Sequence, residues 1–187
     1  MTALSIDNLL LILILLLVLS AFFSGSETAL MSVNKYKLKH RVKKKDVSAL
    51  KVDYLLNNPD KTLGLILLLN NFVNILASAI TTLIAIELYG DKGIAIAAGV
   101  LTFIILVFSE VTPKTFAALH PDKIAYPISW IFYVLMKIFY PLVIVINFVS
   151  KSLLGLFGVR SEYVNQELLT KDEIKFIVKA VSYTHLR

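Results

Sequence analysis

Long apolar runs set the frame of this chain. Leu9 to Val18 continues to Phe23, Leu63 to Leu88 holds only a few polar positions, and Ile94 to Phe108 is apolar apart from glycine and Thr102. Each run is about long enough to cross a bilayer, which takes about 20 apolar residues in a helix. The pattern predicts helices over about residues 6–34, 61–89 and 94–111. Asn57-Asn58-Pro59-Asp60 reads as a breaker before the second, and Gly90-Asp91-Lys92-Gly93 as a tight turn after it. Pro113 cannot donate to the carbonyl of Ser109, so it is expected to break the third helix, and His120-Pro121-Asp122-Lys123 reads as a turn.

A further apolar stretch, residues 124–157, is interrupted by Pro127, Lys137, Pro141, Asn147 and Lys151. It is short for two spans of about 20 residues each. It is therefore expected to form a juxtamembrane belt broken at the prolines, dipping as a re-entrant hairpin, with Tyr126, Trp130, Tyr133 and Tyr140 at headgroup level. Residues 35–58 are expected to form short cytoplasmic helices. The fold class is then an all-α membrane protein with three transmembrane helices, a belt and short cytoplasmic helices. Residues 1–158 make its transmembrane domain. From 159 to 187 the chain turns polar, with Thr170 and Glu173 placed as a helix cap, and this reads as the start of a cytoplasmic region. Ser182 to Arg187 does not continue the pattern and is read as foreign to it.

Composition agrees with this picture: the chain is 57% hydrophobic and 17% charged, with mean hydropathy +0.76. That leaves too little polar surface for a soluble globule. Cysteine is absent, which excludes thiolate metal sites and thiol nucleophiles. Met1 to Asn8 has no Lys or Arg, so no cleaved signal is expected. The net charge of +6 gathers in Lys35, Lys37, Lys39, Arg41, Lys43, Lys44, Lys45 and Lys51, directly after the first apolar run. Such a cluster orients a membrane protein with its basic loop inside, placing the N-terminus outside and the C-terminus in the cytoplasm. It makes nucleic acid an unneeded partner and membrane lipid an expected one. An enzyme is not expected, because His40, His120 and His185 have no metal-ligand spacing and there is no nucleophile elbow.

The polar residues inside the apolar runs carry the chemistry. Ser24-Gly25-Ser26-Glu27, Asn70-Asn71 with Asn74, and Ser109-Glu110 lie at matching depth if the three helices alternate in direction. At 1.5 Å per residue, Ser24, Asn70 and Glu110 fall roughly 8, 10 and 6 Å above the inner boundary of a core about 30 Å thick. Asn70, Asn74 and Ser78 are spaced on one helical face, as are Ser20, Ser24 and Thr28. Hydroxyl, amide and carbonyl oxygens with one carboxylate suit a hard cation, Mg²⁺ or Ca²⁺ above all, with Na⁺ also open. The plainer alternative is that Ser, Thr and Asn bridge helices while Gly25 and Ala29 allow close packing. Glu110 fits that alternative least, since an acid at membrane depth needs a cation, a proton or a partner such as Lys114.

Phe22-Phe23-Ser24-Gly25-Ser26-Glu27-Thr28-Ala29-Leu30, Asn70-Asn71-Phe72-Val73-Asn74 and Ser109-Glu110-Val111-Thr112-Pro113-Lys114 resemble the signature stretches of the CorC and cyclin M (CNNM) family of magnesium transport proteins. The resemblance implies a homodimer that exports Mg²⁺ coupled to Na⁺ entry; alternating access is the expected mechanism and a bacterial inner membrane the expected location. Carried onto this chain, it implies Ser24, Gly25, Ser26, Asn70, Asn74 and Glu110 as ion ligands, with Pro113 as helix breaker and Lys114 as counter-charge. Ser20, Thr28, Ser78 and Ser109 would form a secondary polar stripe. Family members usually continue into CBS modules that bind adenine nucleotides, so ATP is expected only through modules this sequence does not contain. The competing reading is a membrane-embedded Mg²⁺ sensor or scaffold that binds the ion without moving it.

Overall fold

The computed structural model describes residues 5–156, and every regular element among them is helical. Expectations for residues 159–187, including the cap at Thr170 and the reading of Ser182 to Arg187, lie outside the described residues.

The first helix, α1 (Ile6–Met31), ends three residues earlier than the apolar pattern suggests. The reason is local: Asn34 leaves the helix to cap the next one, its side chain accepting from the Tyr36 and Lys37 backbone N–H groups at 3.0 and 3.1 Å. That second helix, α2 (Lys35–Lys43), closes through Lys45, which takes a left-handed φ of 59°. Around it the Asp46 N–H reaches the Arg41 carbonyl and the Lys45 N–H reaches that of Val42, the paired bonds of a Schellman turn. Asp46 then caps α3 (Val47–Leu56) by accepting from Ser48 and Ala49 N–H.

Asp46 has a second task. Its Oδ2 accepts from Arg41 Nε at 2.9 Å and lies 2.7 Å from Nη2, while the Arg41 guanidinium stacks 3.8 Å from the centre of the Tyr126 ring. The guanidinium, helped by the Ala49 N–H, holds the Asp46 carboxyl below the usual carboxylate range. One arginine thus joins α2, the cap of α3 and α7 (Pro121–Ile138).

The long helix α4 (Pro59–Tyr89) starts with proline at its first position, where a missing N–H costs nothing. The buried Thr62 hydroxyl donates to Leu55 O at 2.7 Å and ties it to α3. A short 3₁₀ turn, Gly90–Gly93, leads into α5 (Ile94–Ile104). Gly90 sits at φ 64°, a conformation that favours glycine, and α4 and α5 pack against each other beyond it. Two helical stretches, Ile6–Met31 and Pro59–Leu119, are long and apolar enough to cross a membrane. The second is folded back at Gly90. Asn70 and Ser109 would stand roughly 60 Å apart on one straight helix, yet they bond to Ser20 and Leu17, neighbours on α1. Three helical limbs therefore lie side by side.

The third limb corrects one expectation. Pro113 does not end the helix. The chain runs from α5 through a π-helical segment, Ile105–Val111, into α6 (Thr112–Leu119). The Thr112 N–H donates to Val107 O, five residues back, so the wider turn makes room for the proline ring where an α-helical register would clash. The turn expected at His120 to Lys123 is present: His120 leaves the helix at φ −131°, the Lys123 N–H donates to His120 O at 3.2 Å, and Pro121 opens α7. Pro127 lies inside α7 without breaking it, and the chain breaks again at Phe139, before α8 (Tyr140–Leu156).

Helix α1 is the hub, packing against α3, α4, the π segment, α6 and α7. Phe132 of α7 is fully buried and stacks on Phe22 with ring centres 5.8 Å apart, meeting Phe23 edge-on at 6.2 Å. Leu11, Ile14 and Val18 of α1, Phe72 and Ile75 of α4, and Ile96 and Phe103 of α5 are exposed. Apolar residues on all sides of a helix are what a lipid surround requires.

Candidate cation site

The polar residues of the three limbs converge on α1. Ser20 and Ser24 are fully buried on one side of that helix, and Gly25 and Ser26 are buried beside them. From α4, Asn70 is buried and its Oδ1 accepts from Ser20 Oγ at 3.0 Å. From the π segment, the buried Ser109 hydroxyl donates to Leu17 O at 3.1 Å. A Cβ built on Gly25 would lie 3.5 Å from both Pro113 Cβ and Pro113 O, so α1 and α6 pack closely here with room for a methyl group but not for a large side chain.

Two oxygens on these helices stand out: Ser24 Oγ, one turn from the Ser20–Asn70 bond along α1, and Asn74 Oδ1, one turn from it along α4, are buried and have no hydrogen-bond partner among the described residues. Leaving such groups unsatisfied in an apolar surround costs about 1–3 kcal/mol each, a cost that a bound cation would remove. Glu110 is half-buried in the π segment and makes no hydrogen bond or ion pair among the described residues. Ser26 Oγ donates to Phe22 O at 2.6 Å and keeps its lone pairs for a ligand. The uncharged polar side chains that α1 and α4 carry are hydroxyls and amides, with Glu110 as the carboxylate of the π segment. No group of three or more His, Cys, Asp or Glu side chains gathers anywhere among the described residues. The donor set is that of a hard cation and not of zinc or copper.

Other expected members lie elsewhere. Ser78 is exposed on α4, and Thr28 is half-buried with its hydroxyl bonded back to Ser24 O at 3.4 Å. Lys114, expected as counter-charge in the site, has its Nζ 3.9 Å from Glu27 Oε2 and links α6 to α1. That ion pair is the feature sequence reasoning missed. Glu27 follows Ser26 directly, and only the approach at Gly25 and Pro113 brings its side chain to α6.

A family model described as the cyclin M transmembrane N-terminal domain matches residues 11–182. Over 160 residues the chain is 48% identical to the UPF0053 inner membrane protein YfjD of Escherichia coli strain K12, covering 86% of this chain and 37% of that protein. It is 47% identical over 178 residues to a UPF0053 protein of Haemophilus influenzae, covering 95% of this chain and 42% of the relative. A polyamine export protein of Haemophilus influenzae is 29% identical over 178 residues, covering 88% and 41%. The chain spans about two fifths of the length of these relatives.

Proposed function

This chain belongs to the cyclin M transmembrane N-terminal domain family, and we propose that it is the membrane-embedded part of a Mg²⁺ exporter driven by Na⁺ entry. It is an integral membrane protein of a family linked to membrane transport. The observation that carries the proposal is the buried Ser24 Oγ on α1, which has no hydrogen-bond partner among the described residues, one turn from the buried Ser20–Asn70 pair. Ser24, Gly25 and Ser26, with Asn70, Asn74 and Glu110, are the proposed ligands. Neutral oxygens with one carboxylate hold Mg²⁺ loosely enough to release it, while their number offsets part of its reluctant dehydration. Rocking of α4 and the third limb against α1 would open the site to either side in turn, with Na⁺ using the same carboxylate on its way inward. The N-terminus outside, a cytoplasmic C-terminus, residues 1–158 as the membrane unit, a homodimer, an inner-membrane location and nucleotide control through later CBS modules complete the reading.

The polyamine exporter among the relatives suggests a different cargo for the same site. A polyamine carries several ammonium groups along a chain and calls for several carboxylates. Among the described residues no group of three or more His, Cys, Asp or Glu side chains gathers, and Glu27 is engaged by Lys114. That donor set favours a compact ion. The test is Na⁺-triggered loss of Mg²⁺ from loaded proteoliposomes, with native chain, Asn70→Ala and Glu110→Ala at equal incorporation. Efflux that both substitutions abolish supports the exporter. Absence of flux with retained Mg²⁺-dependent stabilisation turns the reading to a sensor, and spermidine efflux without Mg²⁺ efflux turns it to a polyamine carrier.

A further inference from the structure

Four buried side-chain oxygens lack a hydrogen-bond partner among the described residues, and only two of them lie on α1 and α4. The others, Asp122 Oδ1 and Tyr126 OH, line a separate cavity of about 410 Å³ between α2 and α7, together with Tyr36, Lys37, His40 and Arg41. Tyr126 is 6% exposed; Arg41 stacks on its ring face and lies near its hydroxyl, and no group among the described residues meets that hydroxyl in hydrogen-bond geometry. Asp122 Oδ2 faces Lys37 Nζ at 3.6 Å while Oδ1 faces nothing.

The cavity also has a defined level. Its α2 wall begins a few residues after α1 ends at Met31, and its α7 wall begins directly after α6 ends at Leu119. Both walls start where spanning limbs finish, at the depth of phospholipid headgroups. A ligand for this cavity must bring a hydrogen-bond acceptor to the Tyr126 hydroxyl and a donor to the Asp122 carboxylate. Lys37 and Arg41 carry more N–H donors than Asp122 and Asp46 occupy, which favours an anionic acceptor. A phosphate diester beside a primary ammonium meets all of these demands. Choline does not, because its trimethylammonium has no N–H to give Asp122.

We infer that the cavity between α2 and α7 seats a phosphoethanolamine headgroup of a membrane phospholipid, its phosphate toward Tyr126 and Lys37 and its ammonium on Asp122. The site is distinct from the cation site and links lipid to the α2–α3–α7 junction through Arg41.

Native mass spectrometry of the full chain in detergent, with added phosphatidylethanolamine or phosphatidylcholine of the same acyl chains, tests it. Phosphatidylethanolamine should be retained about tenfold more tightly than phosphatidylcholine, and Asp122→Asn and Tyr126→Phe should each weaken it by about threefold to tenfold. Thermal melting of the same variants without lipid separates folding defects from lost binding. Equal retention of both lipids, or variants that bind as the native chain does, overturns the inference. Displacement of the lipid by soluble O-phosphoethanolamine at equal concentration would also overturn it, moving the ligand from the bilayer to the cytoplasm.

Discussion

The hydroxyl of Ser20 on α1 donates to Asn70 Oδ1 on α4 across 3.0 Å, and both residues are buried. This bond fixes the register of α4 against α1. Interhelical hydrogen bonds at membrane depth contribute about 0.6 and up to about 1.7 kcal/mol. Ser20→Ala is therefore expected to destabilise the chain by an amount in that range, measured by reversible unfolding in mixed micelles.

Gly25 meets Pro113 at ordinary van der Waals distance. Gly25→Ala should fold and melt close to native. Gly25→Leu should overpack the contact, costing about 1–3 kcal/mol, and part Glu27 from Lys114. Melting temperature together with crosslinking between Cys residues introduced at positions 27 and 114 reads both effects.

Lys45 holds a left-handed φ of 59° at the end of α2, a conformation that strains residues with a Cβ by roughly 1–2 kcal/mol. Lys45→Gly should raise the melting temperature, the Schellman bonds from Lys45 and Asp46 being made by backbone.

The Arg41 guanidinium depresses the Asp46 carboxyl, so the folded state binds its proton less readily than the unfolded one. The stabilisation is fully present above the unfolded carboxylate value of about 3.9 and is lost as pH falls through the lower folded value. Melting temperatures from pH 7 downward should fall more steeply below about pH 4 for native chain than for Asp46→Asn, which can still cap α3 but cannot ionise.

Much of this architecture is legible in sequence, and the failures have physical causes. The apolar runs foretell the three limbs because a bilayer leaves a backbone few choices. Pro113 misleads because a proline forbids the α register at Ser109 but not the wider π register adopted there. The polar stripe on α4 fades for a geometric reason. Steps of four residues turn about 40° past a full helical circle, so Asn70 is buried, Asn74 half-buried and Ser78 exposed. The same drift carries Thr28 to the margin of the site on α1 after Ser20 and Ser24. The Glu27 and Lys114 pair and the cavity at Tyr126 depend on contacts across more than 80 positions of the chain, which no local pattern encodes.

The most direct test of a cation held by α1, α4 and the π segment is a crystal structure of the chain with Mn²⁺, a hard-cation substitute for Mg²⁺ whose anomalous scattering marks its position. The account predicts a peak at roughly the 2.0–2.6 Å of hard-cation oxygen bonds from Ser24 Oγ, with Asn70 and Glu110 turned toward it, and its loss in Ser24→Ala. A map with no peak among these residues, or an unchanged peak in Ser24→Ala, would contradict it.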